Sequence, residues 1–259
     1  MDILKNLQTW LQRLAPEPAA GPKLEPDQRK ALLAALASDR AADRWLAAEA
    51  LAEGDPGKEG VAALAGLLGD PDPLLRSEAA RALGQIGGKA ARQALLEAAA
   101  SGNALAQAAA ADGLAALPPT PETVAALAGL LASQDASARQ SAAEALARLD
   151  PPPPARDGSS PAPAIQAVLL GLVETDDASM VRRAAALALG RWGDTGVDVI
   201  LAARQDDESE DQRVREAAAL ALSRPRRAAP SPELAQDEGS AHEAPAEDTA
   251  EPESPQPPT

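Results

Sequence analysis

The residues of this chain that could do chemistry are few, and most of them are carboxylates. Two adjacent pairs, Asp176 with Asp177 and Asp206 with Asp207, are of the type used in general acid–base catalysis or in binding a hard cation. His242 is the single histidine. There is no cysteine, so the chain has no thiolate nucleophile and no thiolate metal ligand.

These groups do not form a catalytic set. Both carboxylate pairs are predicted to lie at helix starts, where the helix dipole favours negative charge, so capping accounts for them. The stretch QIGGKA at 85–90 is not a phosphate loop, because Leu83 stands where the first glycine belongs and Ala90 replaces Ser or Thr. No GxSxG motif is present. We predict no catalytic residue, no metal site and no cofactor.

Composition narrows the class of protein further. Of 259 residues, 45% are apolar, yet there is no Phe or Tyr, so a core must be built mainly from Leu and Ala. The formal net charge of −15 argues against nucleic-acid binding, which needs a basic surface. No apolar run approaches the roughly 20 residues that span a bilayer, and the start lacks the pattern of a signal peptide. We therefore expect a cytoplasmic protein.

One sequence motif recurs along the chain. Anchored on Arg76, it places Ala at offsets of three, four and six residues and Leu at offset seven. The six anchors are Arg44, Arg76, Gln107, Arg139, Arg182 and Arg215. The leucines at offset seven lie 32, 31, 32, 43 and 33 residues apart. VAALAGLL, at 61–68 and again at 124–131, supports the same period independently. A period of this length is typical of stacked repeats.

Each repeat predicts two helices. The first has apolar residues at steps of three and four, and the second carries the anchor. Offsets three, four and seven share one helix face, so we expect Ala to let neighbouring helices approach and Leu to fill the space between them. Oxygen-bearing caps are predicted before the helices at Asp55, Asp72, Asn103, Thr120, Asp135 and Asp211. Gly54, Gly87 and Gly193 follow predicted helix ends, where a left-handed residue is expected.

The phrase Asp-x-x-x-Arg-x-x-Ala-Ala-x-Ala-Leu-Gly resembles HEAT repeats, in particular the short bacterial type named after phycobilisome lyases. The resemblance implies an all-α fold, a right-handed α-α superhelix of about six helical hairpins. It implies that the anchor arginines are structural partners of the Asp caps. Di-iron hydroxylases of this fold use several His–Glu pairs, but this chain has only His242–Glu243, outside the repeats. DNA glycosylases of this fold use a basic groove with aromatics, which the composition disfavours.

The organisation predicted along the chain has five parts. Residues 1–14 form an amphipathic helix with Ile3, Leu7, Trp10, Leu11 and Leu14 on one side, which caps the first unit, docks elsewhere on the array or binds a partner. A linker spans 15–27 and the solenoid spans 28–224. A Pro-rich insertion interrupts the solenoid at 151–163. Residues 225–259 form an acidic, Pro-rich tail whose composition predicts disorder.

The third copy of the repeat is degenerate. Gln107 replaces the arginine, and Gly113 stands at an alanine position, where it costs about 1 kcal/mol relative to Ala in a helix interior. We expect this unit to be the least stable.

In HEAT-like arrays the second helices line the concave side, so their outward positions are the candidates for binding a partner. These are offsets one, five and nine from each anchor. They are Trp45, Glu49, Arg81, Asp112, Gln140, Glu144, Arg148, Arg183, Leu187, Arg191 and Leu220. Leu187 and Leu220 are apolar where polar residues are expected, which indicates tail docking or a binding patch. Trp192 fits either the core or the rim.

The leading functional hypothesis is a non-catalytic scaffold or adaptor that binds another protein along the concave face. The alternative implied by the resemblance is a bilin lyase-type protein that handles a chromophore on an antenna protein, or a regulatory subunit of a larger enzyme. The repeat alone does not separate these, because one fold hosts many functions.

Overall fold

The computed structural model describes residues 24–151 and 160–224, and every regular element within those ranges is a helix. Twelve α-helices pair into six hairpins, so the predicted all-helical repeat fold is confirmed for this part of the chain. The helices are α1 Pro26–Leu36, α2 Ala41–Glu53, α3 Gly57–Leu67, α4 Pro73–Ile86, α5 Gly88–Ala99, α6 Ala104–Ala115, α7 Pro121–Leu130, α8 Ala136–Arg148, α9 Ala162–Thr175, α10 Ser179–Trp192, α11 Asp198–Asp206 and α12 Gln212–Leu222. A short 3-10 turn, Thr195–Val197, precedes α11.

The bounds of the array differ slightly from the predicted ones. Helix α1 begins at Pro26, inside the predicted linker, and α9 begins at Ala162, inside the predicted insertion. The predicted helix at 1–14 and the predicted tail at 225–259 lie outside the described residues, as do residues 152–159.

The helices form two rows. Each even-numbered helix carries an anchor and packs against the next one in the series α2, α4, α6, α8, α10 and α12. Among the odd-numbered helices, α1, α3, α5 and α7 also pack in sequence, and every odd-numbered helix packs on the even-numbered partner of its own hairpin. This arrangement is a helical solenoid, in which each unit contacts mainly its neighbours.

Alanine lines the seam between neighbouring second helices, as predicted. At offsets three and four, Ala79, Ala142 and Ala185 are among the fully buried residues. The leucines at offset seven are fully buried in the first five units. The small side chains bring the helices together, and the leucines fill the space that remains.

Gly113 lies in this seam, and the packing around it leaves no room for a larger residue. A Cβ placed there would lie 2.6 Å from Leu95 Cδ2 and 3.1 Å from the Ala80 carbonyl oxygen. Leu95 and the backbone of α4 therefore occupy the space that an alanine would need. The lower stability expected for this third unit remains a prediction.

The helix caps agree with most of the sequence prediction. Asp72, Asn103, Asp135 and Asp211 each accept a hydrogen bond from the first turn of the helix that follows. Thr120 does the same for α7. These bonds satisfy backbone N–H groups that have no partner inside the helix.

Two sequence predictions about loop residues were wrong. Asp206 and Asp207 lie at the end of α11, and Asp176 follows the last residue of α9, so neither carboxylate pair starts a helix. Gly54 and Gly193 have φ of −113° and −80°, not left-handed values. Both glycines are needed for space, because a Cβ would come within 2.7 Å of Leu24 at Gly54 and 2.6 Å of the Leu189 carbonyl oxygen at Gly193. Only Gly87 of the three has a positive φ, +63°.

In five of the six units, the anchor side chain ties the hairpin loop to the helix that follows it. Arg76 Nη1 donates to the carbonyl oxygens of Asp70 and Pro71, at 2.8 and 2.9 Å. Arg44, Arg139 and Arg182 make the same two bonds to the residues five and six positions before them. In the third unit, where Gln107 stands in place of the arginine, one of the two bonds is kept: the Gln107 side-chain amide donates to the Ser101 carbonyl oxygen at 2.6 Å.

The anchors also reach the loop of the next unit, forming a series that we call the arginine ladder. Arg139 binds Asp176 through two hydrogen bonds, at 2.7 and 3.0 Å. Arg182 binds Glu210 in the same bidentate way, at 2.9 and 2.6 Å. Arg44 lies 3.7 Å from Asp70, and Gln107 accepts from the Ser133 hydroxyl at 3.0 Å.

The ladder corrects the predicted partners of the arginines. The arginines were expected to pair with the Asp caps, but the caps accept bonds from their own helices. Arg44, Arg139 and Arg182 instead contact carboxylates one or two residues before the N-cap of the next second helix. The structural role implied for the arginines holds, with different partners.

Packing along the seam leads to a first prediction. We expect Ala142→Leu to lower the free energy of unfolding by about 1–3 kcal/mol, because Ala142 is fully buried between helices and the extra atoms force its neighbours apart. Urea denaturation followed by circular dichroism measures the change. The matched control is Ala125→Leu, at an exposed position of α7, which should change stability by less than about 0.5 kcal/mol. An equal loss in both variants would contradict the account of the seam.

The arginine ladder leads to a second prediction. The hydrogen bonds from Arg182 lower the pKa of the Glu210 carboxyl. A carboxyl with a lowered pKa stabilises the fold above its unfolded pKa of about 4.3, and that contribution is lost as the pH falls through the folded pKa. We expect Glu210→Gln to cost about 1–3 kcal/mol near neutral pH and to lose less stability than the wild type on acidification.

Urea titrations at several values from about pH 7 to about pH 3 provide the measurement. Glu59→Gln, the same substitution at an exposed position of α3, is the control and should follow the wild-type profile. A Glu210→Gln profile as steep as that of the wild type would count against the ladder as a source of stability.

Candidate protein-binding face

The predicted partner-binding residues are distributed over all six second helices. None of them is buried, and together we call them the second-helix face. Exposed members are Trp45, Arg81, Asp112, Arg148, Arg191 and Leu220, and half-buried members are Glu49, Gln140, Glu144, Arg183 and Leu187. Their backbones are held by the seam and the ladder, so the face has a fixed arrangement before any partner binds.

The structure brings four of these residues together in one cavity. A groove of about 760 Å³ lies between α8, α10 and α12, and Gln140, Arg183, Leu187 and Leu220 help to line it. We call it the C-terminal groove. Its volume is within the range of ligand pockets. It exceeds the volumes of two other cavities among the described residues, which are about 400 and 330 Å³.

Two helices present matching stripes to the groove. Helix α10 contributes Met180, Arg183 and Leu187, at offsets of minus two, one and five from its anchor. Helix α12 contributes Arg213, Glu216 and Leu220 at the same three offsets. Residues three, four and seven apart lie on one face of a helix, so the three side chains of each stripe share the helix face that borders the groove.

Sequence reasoning missed Met180 and Arg213, both of which line the groove. They lie one helical turn before offset one, so extending the outward pattern to offset minus two would have found them. Met180 is 48% exposed and Leu220 is 50% exposed. The groove therefore offers apolar side chains to solvent, between charged side chains of both signs.

Several charges of the second-helix face are paired with each other. Glu144 accepts a hydrogen bond from Gln140 at 3.1 Å, and its carboxylate lies 3.5 Å from Arg183 and 4.0 Å from Arg148. These contacts link α8 to α10 beside the groove. Exposed pairs of this kind contribute little to stability, so they can exchange for contacts with a partner at low cost.

Arg191 is paired as well, with Asp150 at 2.7 Å. By contrast, Arg213 is exposed and has no ion pair within the described part of the chain.

Trp45, Glu49 and Arg81 lie at the other end of the row, on α2 and α4, and do not reach the groove. Trp45 lines a separate apolar cavity of about 400 Å³ with Leu46 and Leu74. Arg81 is held by its own helix, where it contacts Glu78 and donates to the Gln85 side chain at 2.6 Å. The predicted face is thus divided between two regions.

Trp192, which the sequence left undecided, belongs to the core. It is 3% exposed, and its indole Nε1 donates to the Leu146 carbonyl oxygen at 2.8 Å. This bond joins the end of α10 to α8 and satisfies the polar end of the ring.

Two further features of the described residues bear on the type of site. Within residues 24–151 and 160–224, no group of three or more His, Asp or Glu side chains is arranged to hold a metal ion. Among the helices described there, none has both the length and the apolar character needed to cross a membrane.

Comparison with known proteins identifies the class. The HEAT repeats family matches residues 29–115 and 158–223, which is more than half of the chain, so the chain belongs to the HEAT repeat family. Residues 116–157, between the two matched segments, contain α7, α8 and the Arg139 rung of the ladder. No curated protein matches the chain.

The solved structures that resemble this chain include an engineered protein, a designed armadillo repeat protein and a lyase complex. An engineered protein is 26% identical over 75% of this chain and 94% of its own, with a TM-score of 0.47. A designed armadillo repeat protein is 17% identical over 74% and 97%, with a TM-score of 0.45. The complex of CpcE and CpcF of phycocyanin lyase from Nostoc sp. is 20% identical over 79% and 89%, with a TM-score of 0.35.

The exposure of the groove leucine leads to a third prediction. We expect Leu220→Ala to lower the free energy of unfolding by about 1 kcal/mol or less, because half of its surface is already in water. The matched control is Leu189→Ala, the same substitution at a fully buried position of α10. It should cost about 2–5 kcal/mol. Similar losses in the two variants, measured by urea denaturation, would mean that Leu220 serves the core.

Proposed function

We propose that this chain is a non-catalytic protein-interaction scaffold that binds another protein on the concave face of its solenoid, with the C-terminal groove as the main contact. The observation that carries the proposal is the pair of matching stripes on α10 and α12, which leave Met180, Leu187 and Leu220 accessible among charged side chains. Affinity in protein interfaces is concentrated in a few apolar anchors surrounded by polar contacts.

Preorganisation supports the proposal. The Arg182–Glu210 rung joins the loop before α10 to the loop before α12, and the Arg139–Asp176 rung joins α8 to the same series. These bonds hold the walls of the groove at a fixed separation. A partner then binds without first having to order the site, which reduces the entropy lost on association.

The polar groups of the groove favour binding over catalysis. Asp211 caps α12, and the Glu216 side chain accepts a hydrogen bond from Gln212 at 2.8 Å. Gln140 donates to Glu144. Each of these groups has a structural partner, and none has the pairing of nucleophile and base that catalysis needs. The bilin-handling and enzyme-subunit alternatives remain predictions from the resemblance alone.

The proposal also describes the partner segment. Apolar side chains of the partner fill the space between Met180, Leu187 and Leu220, and an acidic residue faces Arg213, the rim cation without an ion pair among the described residues. A helix or an extended segment can supply this pattern, with its anchors on one side.

Site-specific photo-crosslinking tests the proposal. A photoreactive phenylalanine replaces Leu220 in the groove, or Val199 on α11 as a control that is also exposed and apolar but lies in the other row. We expect the Leu220 position to crosslink a defined protein in an extract of the native host and the Val199 position not to do so. The captured protein is then purified, and its Kd for the full chain is measured.

The double variant Arg183→Glu, Leu187→Asp provides the specificity control. It should weaken binding of the purified partner by about 100-fold or more, corresponding to the loss of two interface anchors. The pair Trp45→Ala, Glu49→Ala, at the other end of the row, should change the Kd less than about threefold. The groove would be refuted as the binding site if positions 220 and 199 crosslinked the same proteins. It would also be refuted if the double variant bound the partner with an unchanged Kd.

A further inference from the structure

The first unit of the solenoid has an apolar edge that the other units cover. At offset two from the anchor, each second helix faces the unit before it. Glu78, Ala109, Ala184 and Ala217 occupy this position in four of the five later units and are buried, and Ser141 in the remaining unit is half-buried. The first unit has Leu46 there, and it is 57% exposed.

Two other positions of the first unit show the same difference. Offset six is buried in units two to six but only half-buried at Ala50. Leu32 precedes Leu64 by the same 32 residues that separate Arg44 from Arg76. Leu64 is fully buried, whereas Leu32 is half-buried.

We call Leu32, Leu46 and Ala50 the N-terminal edge. Leu46 borders the apolar cavity that Trp45 and Leu74 line, but more than half of its surface stays exposed, and leucine is more apolar than any of its counterparts in the later units. Repeat arrays need a capping element at each end, because a terminal unit otherwise exposes the surface that its neighbours bury. The edge therefore has the composition of a covered surface.

We propose that residues 1–14 cover the N-terminal edge as an intramolecular cap. The segment carries Ile3, Leu7, Trp10, Leu11 and Leu14 at steps of three, four and one, which places them on one side of a helix. Such a helix is about 21 Å long, slightly longer than α2. Its apolar side meets Leu46 and Ala50 on α2 and Leu32 on α1.

The connection is long enough for this placement. Leu24, the first described residue, packs against Gly54 at the end of α2, and Leu46 lies eight residues earlier, or about 12 Å along the helix. Ten peptide steps separate Leu14 from Leu24, which span up to about 33 Å when extended. The short tether also raises the effective concentration of the segment at this edge above that of any free partner.

Disulfide trapping in the full chain tests the cap, and the native absence of cysteine makes it specific. Three double variants pair Leu46→Cys with Ile3→Cys, Leu7→Cys or Leu11→Cys. We expect at least one to form an intramolecular disulfide under mild oxidation about tenfold faster than the same segment cysteine paired with Leu220→Cys, which is similarly exposed at the far end of the array. Equal rates at both positions, or disulfide-linked dimers as the main product, would overturn the proposal.

Thiol labelling gives a second readout that does not depend on helix register. In the single variant Leu46→Cys, maleimide labelling should become about tenfold faster when Leu7→Asp and Leu11→Asp are added, because the cap is released. Labelling of Leu220→Cys should not change with the same additions. An unchanged rate at position 46 would show that residues 1–14 do not cover the edge.

Discussion

Close approach of neighbouring second helices is the constraint on which this structure depends. The chain has no Phe or Tyr, and Trp192 is the one aromatic ring buried among the described residues, so its helices must gain energy mainly from many short contacts between small side chains. Alanine or glycine at offsets three, four and six lets neighbouring second helices approach closely enough to make these contacts. A Cβ on Gly113, at offset six, would lie 3.1 Å from the Ala80 carbonyl oxygen, and one on Gly190, at offset eight, would lie 3.1 Å from the Ala221 Cα. The leucine at offset seven then fills the space between the two rows.

The loops follow from this spacing. When second helices are this close, the hairpin loops stack at one end of the row, and an arginine that binds its own loop can reach the carboxylate of the next. The rungs Arg139–Asp176 and Arg182–Glu210 are the result, with side chains of the acids almost fully buried. Gln107 and Ser133 make the same connection without charge. The outward positions of the second helices are left for residues that the fold does not require, and the groove between α10 and α12 is lined by these positions and by Asp211, next to the ladder residue Glu210.

The sequence predicted what depends on spacing within one repeat. The period, the hairpins, the alanine seam and most caps follow from helical geometry and local hydrogen bonding. The groove residues Leu187 and Leu220 could be singled out because they are apolar at outward positions, where polar residues are expected. The sequence could not predict which individual residues meet between units. The partners of the arginines, the burial of Trp192 against Leu146 and the need for glycine at position 113 depend on which residue of the next helix lies opposite. Met180 and Arg213 were missed because only three outward offsets were considered.

Native-state hydrogen exchange of the full chain tests the central claim most directly. If tight packing of the second helices holds the solenoid together, the slowest-exchanging amides lie in α4, α6, α8 and α10, each of which has a second helix on both sides. The amides of α1, α7 and α9 exchange faster, because their row is packed less continuously. Protection of these first helices equal to or greater than that of the second helices would contradict the account.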